Sequence, residues 1–239
     1  MSDTLHTIAA LMQSDAEALR LIGQNIANAE SVAYRREIPV AHASFDDVVS
    51  KLSSLDDAPA ARVQSAIDLR AGTLQSTASP LDLAIEGRGF FVIAAAEGEA
   101  FTRRGDFRLD SQGLLVTQAG DPVMGVAGAI RIGSGTPSIA ADGTVRSGEE
   151  IVGRLRMVEI ESDAQLQPTQ NGSYTLGDGQ PIESTASRVQ QGFLETSNVE
   201  SVNEMIRLME TMRRFEAAQK FARSYDDLLD QAITTLGKL

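Results

Sequence analysis

The placement of glycine constrains this chain more than any other feature. Of 20 glycines, 18 lie between Gly72 and Gly192, leaving only Gly23 and Gly237 outside. Five of the seven prolines fall in the same stretch. Glycine supplies the positive-φ positions that tight turns need and weakens helix interiors. The chain therefore divides into two ends able to sustain long helices and a middle of short strands joined by turns. Its 239 residues suffice for one large domain or two small ones with a buried core.

The N-terminal end carries a heptad pattern. Leu5, Ile8, Met12, Asp15, Leu19, Ile22, Ile26 and Ala29 alternate in three- and four-residue steps, and Asp15 alone is not apolar. The spacing predicts a helix over residues 3–29, about 40 Å long, with an a/d seam on one face. From Val202 a second pattern runs through Met205, Met209 and Met212. It slips once, then continues through Phe215, Ala218, Ala222, Tyr225 and Leu229. A single helix over 199–237 would be about 57 Å long and needs a partner for its stripe, which the N-terminal seam supplies. Ser197 or Asn198 is placed to cap its first turn, and Ser201 with Glu204 has capping-box spacing. The methionine stripe reads either as plain core or as a pliable subunit interface.

Between the ends, residues 35–64 lack glycine, and Phe45, Val48, Val49, Leu52 and Leu55 predict a short amphipathic helix followed by a polar loop. The middle reads as β. Leu81, Leu83 and Ile85 alternate with Asp82 and Ala84, and Phe90-Phe91-Val92-Ile93 is a run suited to a buried strand. Residues 101–109 and 114–117 flank an Asp110-Ser111-Gln112-Gly113 turn, and Asp142-Gly143 marks a hairpin. The expected fold class is α+β: long terminal helices in a coiled-coil-like pair with an inserted, mainly antiparallel β domain. The expected division is 1–34, an N-terminal helix; 35–64, a partly helical or flexible connection; 65–195, the β domain; and 196–239, the C-terminal helix.

Little in the sequence points to chemistry. With 21 basic against 33 acidic residues, a net charge of −12, the chain lacks the cationic face needed for nucleic acid or an acidic membrane surface. No run of about 20 apolar residues predicts a membrane span. There is no cysteine, and His6 and His42 have no metal-ligand spacing. Gly87-Arg88-Gly89 sits between strands and does not open a helix, so it is a poor phosphate cradle. The adjacent acids Asp56-Asp57 and Asp226-Asp227 read as solvated. Arg35 and Arg36 read as favourable charge beyond a helix C-terminus. Arg213 and Arg214 read as a solvated face with exposed ion pairs, and Arg103-Arg104 as a basic dipeptide in an acidic domain. No catalytic residue, metal site or cofactor is expected, and the chain is not expected to be an enzyme.

Four stretches resemble one family. Residues 25–36, including Asn25, Ile26, Ala27, Asn28 and Tyr34, are similar to the N-terminal signature of bacterial flagellar rod and hook proteins. Residues 79–91, with Pro80, Leu81, Asp82, Gly87, Gly89 and Phe90, are similar to its central strand motif. Residues 101–117 continue the match, and Gln191 to Val199, with Ser197, Asn198 and Val199, complete it. The pieces stand in family order over nearly the whole chain. Two positions depart: Ala33 replaces a usual glycine, and Gln24 a frequent asparagine.

The resemblance implies a structural subunit of the flagellar basal-body rod that transmits motor torque across the periplasm. The Ile85-Glu86-Gly87 wording and the 139–155 stretch are most similar to proximal-rod members, with distal-rod members next, and the chain has no room for the hook's larger outer domain. It further implies export by the flagellar type III apparatus without a cleavable signal. Its partners would be other rod proteins and copies of itself, with no nucleic acid and no membrane insertion. Leu5, Ile8, Met12, Leu19, Ile22 and Ile26 are expected to face Val202, Met205, Met209, Met212, Phe215, Ala222 and Leu229, or the same residues of adjacent subunits. A non-polymerising binding or adaptor protein built on the β domain is the rival reading.

Overall fold

The computed structural model describes residues 2–41, 63–133, 136–160, 166–177, 180–184 and 186–236. The fold is α+β. Two helices, α1 (Ser2–Ala27) and α2 (Ser201–Leu236), bracket a long series of short strands. The expected helix around Phe45 to Leu55, and His42, lie outside the described residues. The chain forms two compact units.

The first unit comprises Met1–Ala27, Glu37–Asp68 and Val199–Leu239. Within it α1 packs against α2. It also holds an antiparallel pair the sequence did not suggest, β1 (Glu37–Ala41) with β2 (Val63–Ile67), where Pro39 faces Ser65. A five-residue strand containing proline gives almost no periodic signal, and proline is tolerated because β1 pairs on one side only.

The second unit comprises Asn28–Arg36 and Leu69–Asn198. Its strands include β3 (Leu74–Ser76), β4 (Leu83–Glu86), β5 (Gly89–Ala95) and β6 (Gly98–Thr102). All strand pairings in it are antiparallel. The central sheet has six strands, with β5 and β6 in its middle as a hairpin turned at Gly98. Phe91, Ile93, Leu83 and Ile85 point into one core with Phe107, Leu115, Val123 and Leu155. Phe91 and Phe107 meet edge to face at 5.2 Å. Each such side chain contributes about 1.5–3 kcal/mol of burial, so this unit has the means to hold its own fold.

The turn signals act through named atoms. Asp110 Oδ1 accepts from the Gln112 and Leu114 amides, at 2.7 and 2.8 Å. Asp142 Oδ1 accepts from the Thr144 amide at 3.0 Å, and the Thr144 bonds hold the Asp142 carboxyl below its ordinary pKa. The expected strand over 101–109 is broken after Thr102. A Cβ at Gly105 would lie 1.6 Å from the Leu83 carbonyl oxygen, so the backbone crosses β4 there too closely for any side chain.

Candidate assembly surface and helix junction

In the first unit Ile8, Met12, Asp15, Leu19, Ile22 and Ile26 form the inward face of α1, all buried or half-buried. The side chain of Leu5 lies outside the described residues, as does that of Leu229. Asp15, the polar member of the seam, is buried, and its Oδ1 accepts from Arg214 Nη2 at 2.6 Å and Nε at 3.1 Å. Arg214 is thus no free surface charge. It lies over the helix pair, 60% exposed, and neutralises a buried carboxylate.

The inward face of α2 is Glu204, Leu208, Thr211, Phe215, Ala218, Ala222 and Tyr225, an unbroken run of four- and three-residue steps. Beyond Phe215 these are the heptad positions read from the sequence. Before it they are not. Val202, Met205, Met209 and Met212 point to solvent together with Ile206, each between 46% and 71% exposed. The apparent slip in the heptad is a change of face. One stripe serves α1, and a second, more apolar stripe one residue round the helix is exposed, with no cover among the described residues. Five exposed large apolar side chains in eleven residues form a larger apolar patch than a helix facing water ordinarily shows.

The signature residues build two polar junctions. In the first unit, Asn25 Oδ1 accepts from the Glu37 amide at 2.9 Å while its Nδ2 donates to the Glu37 carbonyl at 2.8 Å. A carboxamide serves both, with its acceptor and its donor on separate atoms. Ile26 beside it is half-buried, Ala27 exposed and Asn28 half-buried.

In the second unit, Ala33 holds the left-handed turn (φ 52°) that the family usually gives to glycine. Its amide donates to the Glu195 carbonyl at 2.8 Å, and the Asn198 amide to the Tyr34 carbonyl at 3.2 Å. Arg35 and Arg36, read from the sequence as favourable charge beyond a helix C-terminus, are buried in the second unit. Arg35 Nη1 meets Glu195 Oε1 at 2.7 Å, each side chain 1% exposed. Asn198 is committed here: its Oδ1 accepts from the Arg36 amide at 2.7 Å and its Nδ2 donates to the Arg70 carbonyl at 2.8 Å.

The same unit buries Arg103, whose guanidinium lies 5.0 Å from the Phe90 ring centroid. It donates to the carbonyls of Ile85 at 3.2 Å and Gly87 at 2.6 Å, and approaches Glu195 Oε2 at 3.5 Å. Burial pushes its pKa down to about 10, opposed by the charge of Glu195. Its burial therefore costs stability at neutral pH, a cost relieved only as pH rises through about 10 toward the unfolded value. Arg104 pairs with Asp106 at 2.8 Å, which raises the pKa of Arg104. Both arginines of the dipeptide thus pair with acids of their own chain. A cleft of about 170 Å³ beside the Arg104–Asp106 pair is lined also by Thr102 and by Asp121, whose carboxylate accepts from Thr117 Oγ1 at 3.3 Å. Among the described residues no three His, Asp or Glu side chains converge on a metal position.

The remaining signature residues shape the β unit. Pro80 is exposed and its carbonyl accepts from Gln191 Nε2 at 2.7 Å. Leu81 flanks the core, and the Asp82 carbonyl accepts from the Gly192 amide. Gly87 has φ 119°, the buried Gly89 donates to Ser187 Oγ at 2.9 Å, and Phe90 is buried. Ser197 is half-buried and Val199 buried.

Two family models match: residues 190–235 fit the flagellar basal body rod FlgEFG protein C-terminal region, and residues 84–147 the flagellar hook protein FlgE/F/G D1 domain. The flagellar basal-body rod protein FlgF of Mesorhizobium japonicum is 30% identical, with 99% of each chain covered. That of Caulobacter vibrioides is 30% identical over the full length of both chains. The chain belongs to the flagellar basal-body rod protein family. It is a structural subunit of the rod, located in the basal body. The flagellar rod protein FlgG of Bacillus subtilis is also similar, 28% identical over 98% of each chain.

Proposed function

We propose that this rod protein is a proximal-rod subunit that polymerises through its terminal helices and passes motor torque along the rod. The observation that carries this reading is the uncovered stripe Val202, Met205, Ile206, Met209 and Met212 on α2. Burying it against neighbouring subunits offsets the entropy of ordering two long helices. The inward seams of α1 and α2 are read as a coiled-coil-like pair, and the outward stripe as the contact with copies of this chain and with other rod proteins. Such contacts pair different patches and do not close, so they build a helical polymer. Functionally, residues 1–34 and 196–239 are the axial core, 35–64 the connection and 65–195 the β domain. The proximal assignment is supported by the FlgF-named relatives at 30% identity against 28% for the FlgG-named one. Export by the flagellar type III apparatus without a cleavable signal belongs to the same reading, as does the absence of catalysis and of membrane insertion. No described helix is long and apolar enough to cross a membrane.

The test is complementation. In cells lacking this gene, the full chain should restore rods in purified basal bodies and swimming, while a chain without residues 199–239 should restore neither. Rods and swimming that persist in the deletion strain would contradict the reading. Expression in strains lacking either the FlgF-type or the FlgG-type subunit separates the two rod positions, with rescue expected only in the first.

A further inference from the structure

The β unit is entered and left by the chain at four places, next to Asn28, Arg36, Leu69 and Asn198. Three of them are gathered by one side chain. Asn198 accepts from the Arg36 amide through Oδ1 and donates to the Arg70 carbonyl through Nδ2, at 2.7 and 2.8 Å. A second layer lies beneath. Glu195 Oε1 takes the Arg35 guanidinium at 2.7 Å and the Gly72 amide at 2.8 Å, and Arg35 Nη1 also donates to the Arg70 carbonyl. A Cβ at Gly72 would lie 2.0 Å from the Thr196 carbonyl oxygen, so the two backbones touch. Every residue of this cluster belongs to the one unit.

The composition of the cluster is costly unless position matters. Two guanidinium groups, Arg35 and Arg103, share the single carboxylate of Glu195, and all three are almost fully buried. Arg35 Nε and Nη2 and Arg103 Nε have no hydrogen-bond partner among the described residues. Apolar residues of similar volume would give a more stable interior. What this arrangement adds is direction: charge-assisted bonds fix angle and register as well as proximity.

We infer that Asn198 and Glu195 are positioning residues for rod assembly: they clamp three chain exits of the β unit so that the segments running to β1, β2 and α2 start from one fixed point. The inference rests on the rod function and deepens it. Force on the β unit reaches α2 through the exit at Asn198. A clamp that loads several short bonds together keeps the exits from shearing apart.

The test compares Asn198→Leu with the wild-type full chain, both expressed in cells lacking the gene. The substitution removes both amide bonds and strands no charge. In the purified variant, hydrogen exchange at the Arg36 amide should accelerate at least about tenfold while β5 and β6 keep their protection. Basal bodies bearing a complete rod should fall by a similar factor. Wild-type numbers of rods, or lost rods with an unchanged Arg36 amide, would overturn the clamp. If β5 and β6 lose protection as well, Asn198→Ala decides by the same readouts, because it removes the same two hydrogen bonds and adds no bulk. Rods that even the wild-type chain does not restore count against the rod function itself. Normal rods with Asn198→Leu, where the wild-type chain rescues, count against the clamp alone.

Discussion

Ala33 shows how a single residue departs from a family pattern and keeps its geometry. It sits buried at φ 52°, where an L side chain costs about 1–2 kcal/mol, because its amide must reach the Glu195 carbonyl. Ala33→Gly should therefore be neutral or stabilising by up to about 1 kcal/mol in urea denaturation of the purified chain. Ala33→Val should lose about 2 kcal/mol or more, since a branched side chain there is strained and has no room. Equal stability of the two variants would show that the turn relaxes. The sequence revealed that position 33 was unusual but not how it was resolved. Nor did it reveal that Arg35, Arg103 and Glu195 share one interior. Those three residues stand far apart in the chain, and nothing in their spacing signals a contact. The carboxamide of Asn198 looked like a helix cap because local spacing is all that a sequence shows directly.

At the scale of elements, the helices were legible from periodicity, and the face each presents was legible only in part. In α1 the apolar seam is the inward face, with Asp15 as its polar member. In the first half of α2 the most apolar stripe is not the inward one. Periodicity finds a stripe but does not say whether it is covered by the same chain or by another. The Asp15–Arg214 pair is the clearest consequence. A buried carboxylate in a helix seam fixes which neighbour fits, at some expense in stability. Asp15→Leu completes the apolar seam and should leave thermal unfolding of the helical signal unchanged or raise stability by about 1 kcal/mol. Arg214→Ala strands the carboxylate and should cost about 1–3 kcal/mol, discounted because Arg214 is largely exposed. A larger loss for Asp15→Leu than for Arg214→Ala would mean the pair stabilises the helices outright. The paired strands β1 and β2 went unread for a plainer reason: five residues including Pro39 carry too little alternation to register.

For the whole molecule, the two units divide the work. The β unit has a continuous apolar core and should stay folded when the helices are altered. In the proposed assembly the helices carry the surface that makes a polymer. Met209→Asp places a charge on an exposed position, 53% accessible, so it should change monomer stability by less than about 0.5 kcal/mol and still abolish rods and swimming. Ile22→Asp, at a buried position, should lose both helix pairing and assembly. A Met209→Asp strain that swims normally would show that the stripe meets no neighbour.

Because the chain contains no cysteine, a single Met209→Cys variant reports on that surface directly. The decisive measurement is the rate at which a small maleimide labels this thiol in the purified monomer and in isolated basal bodies. Burial of the stripe between subunits predicts rapid labelling of the monomer and at least about tenfold protection in the rod. Equal labelling in the two states would contradict assembly through this face.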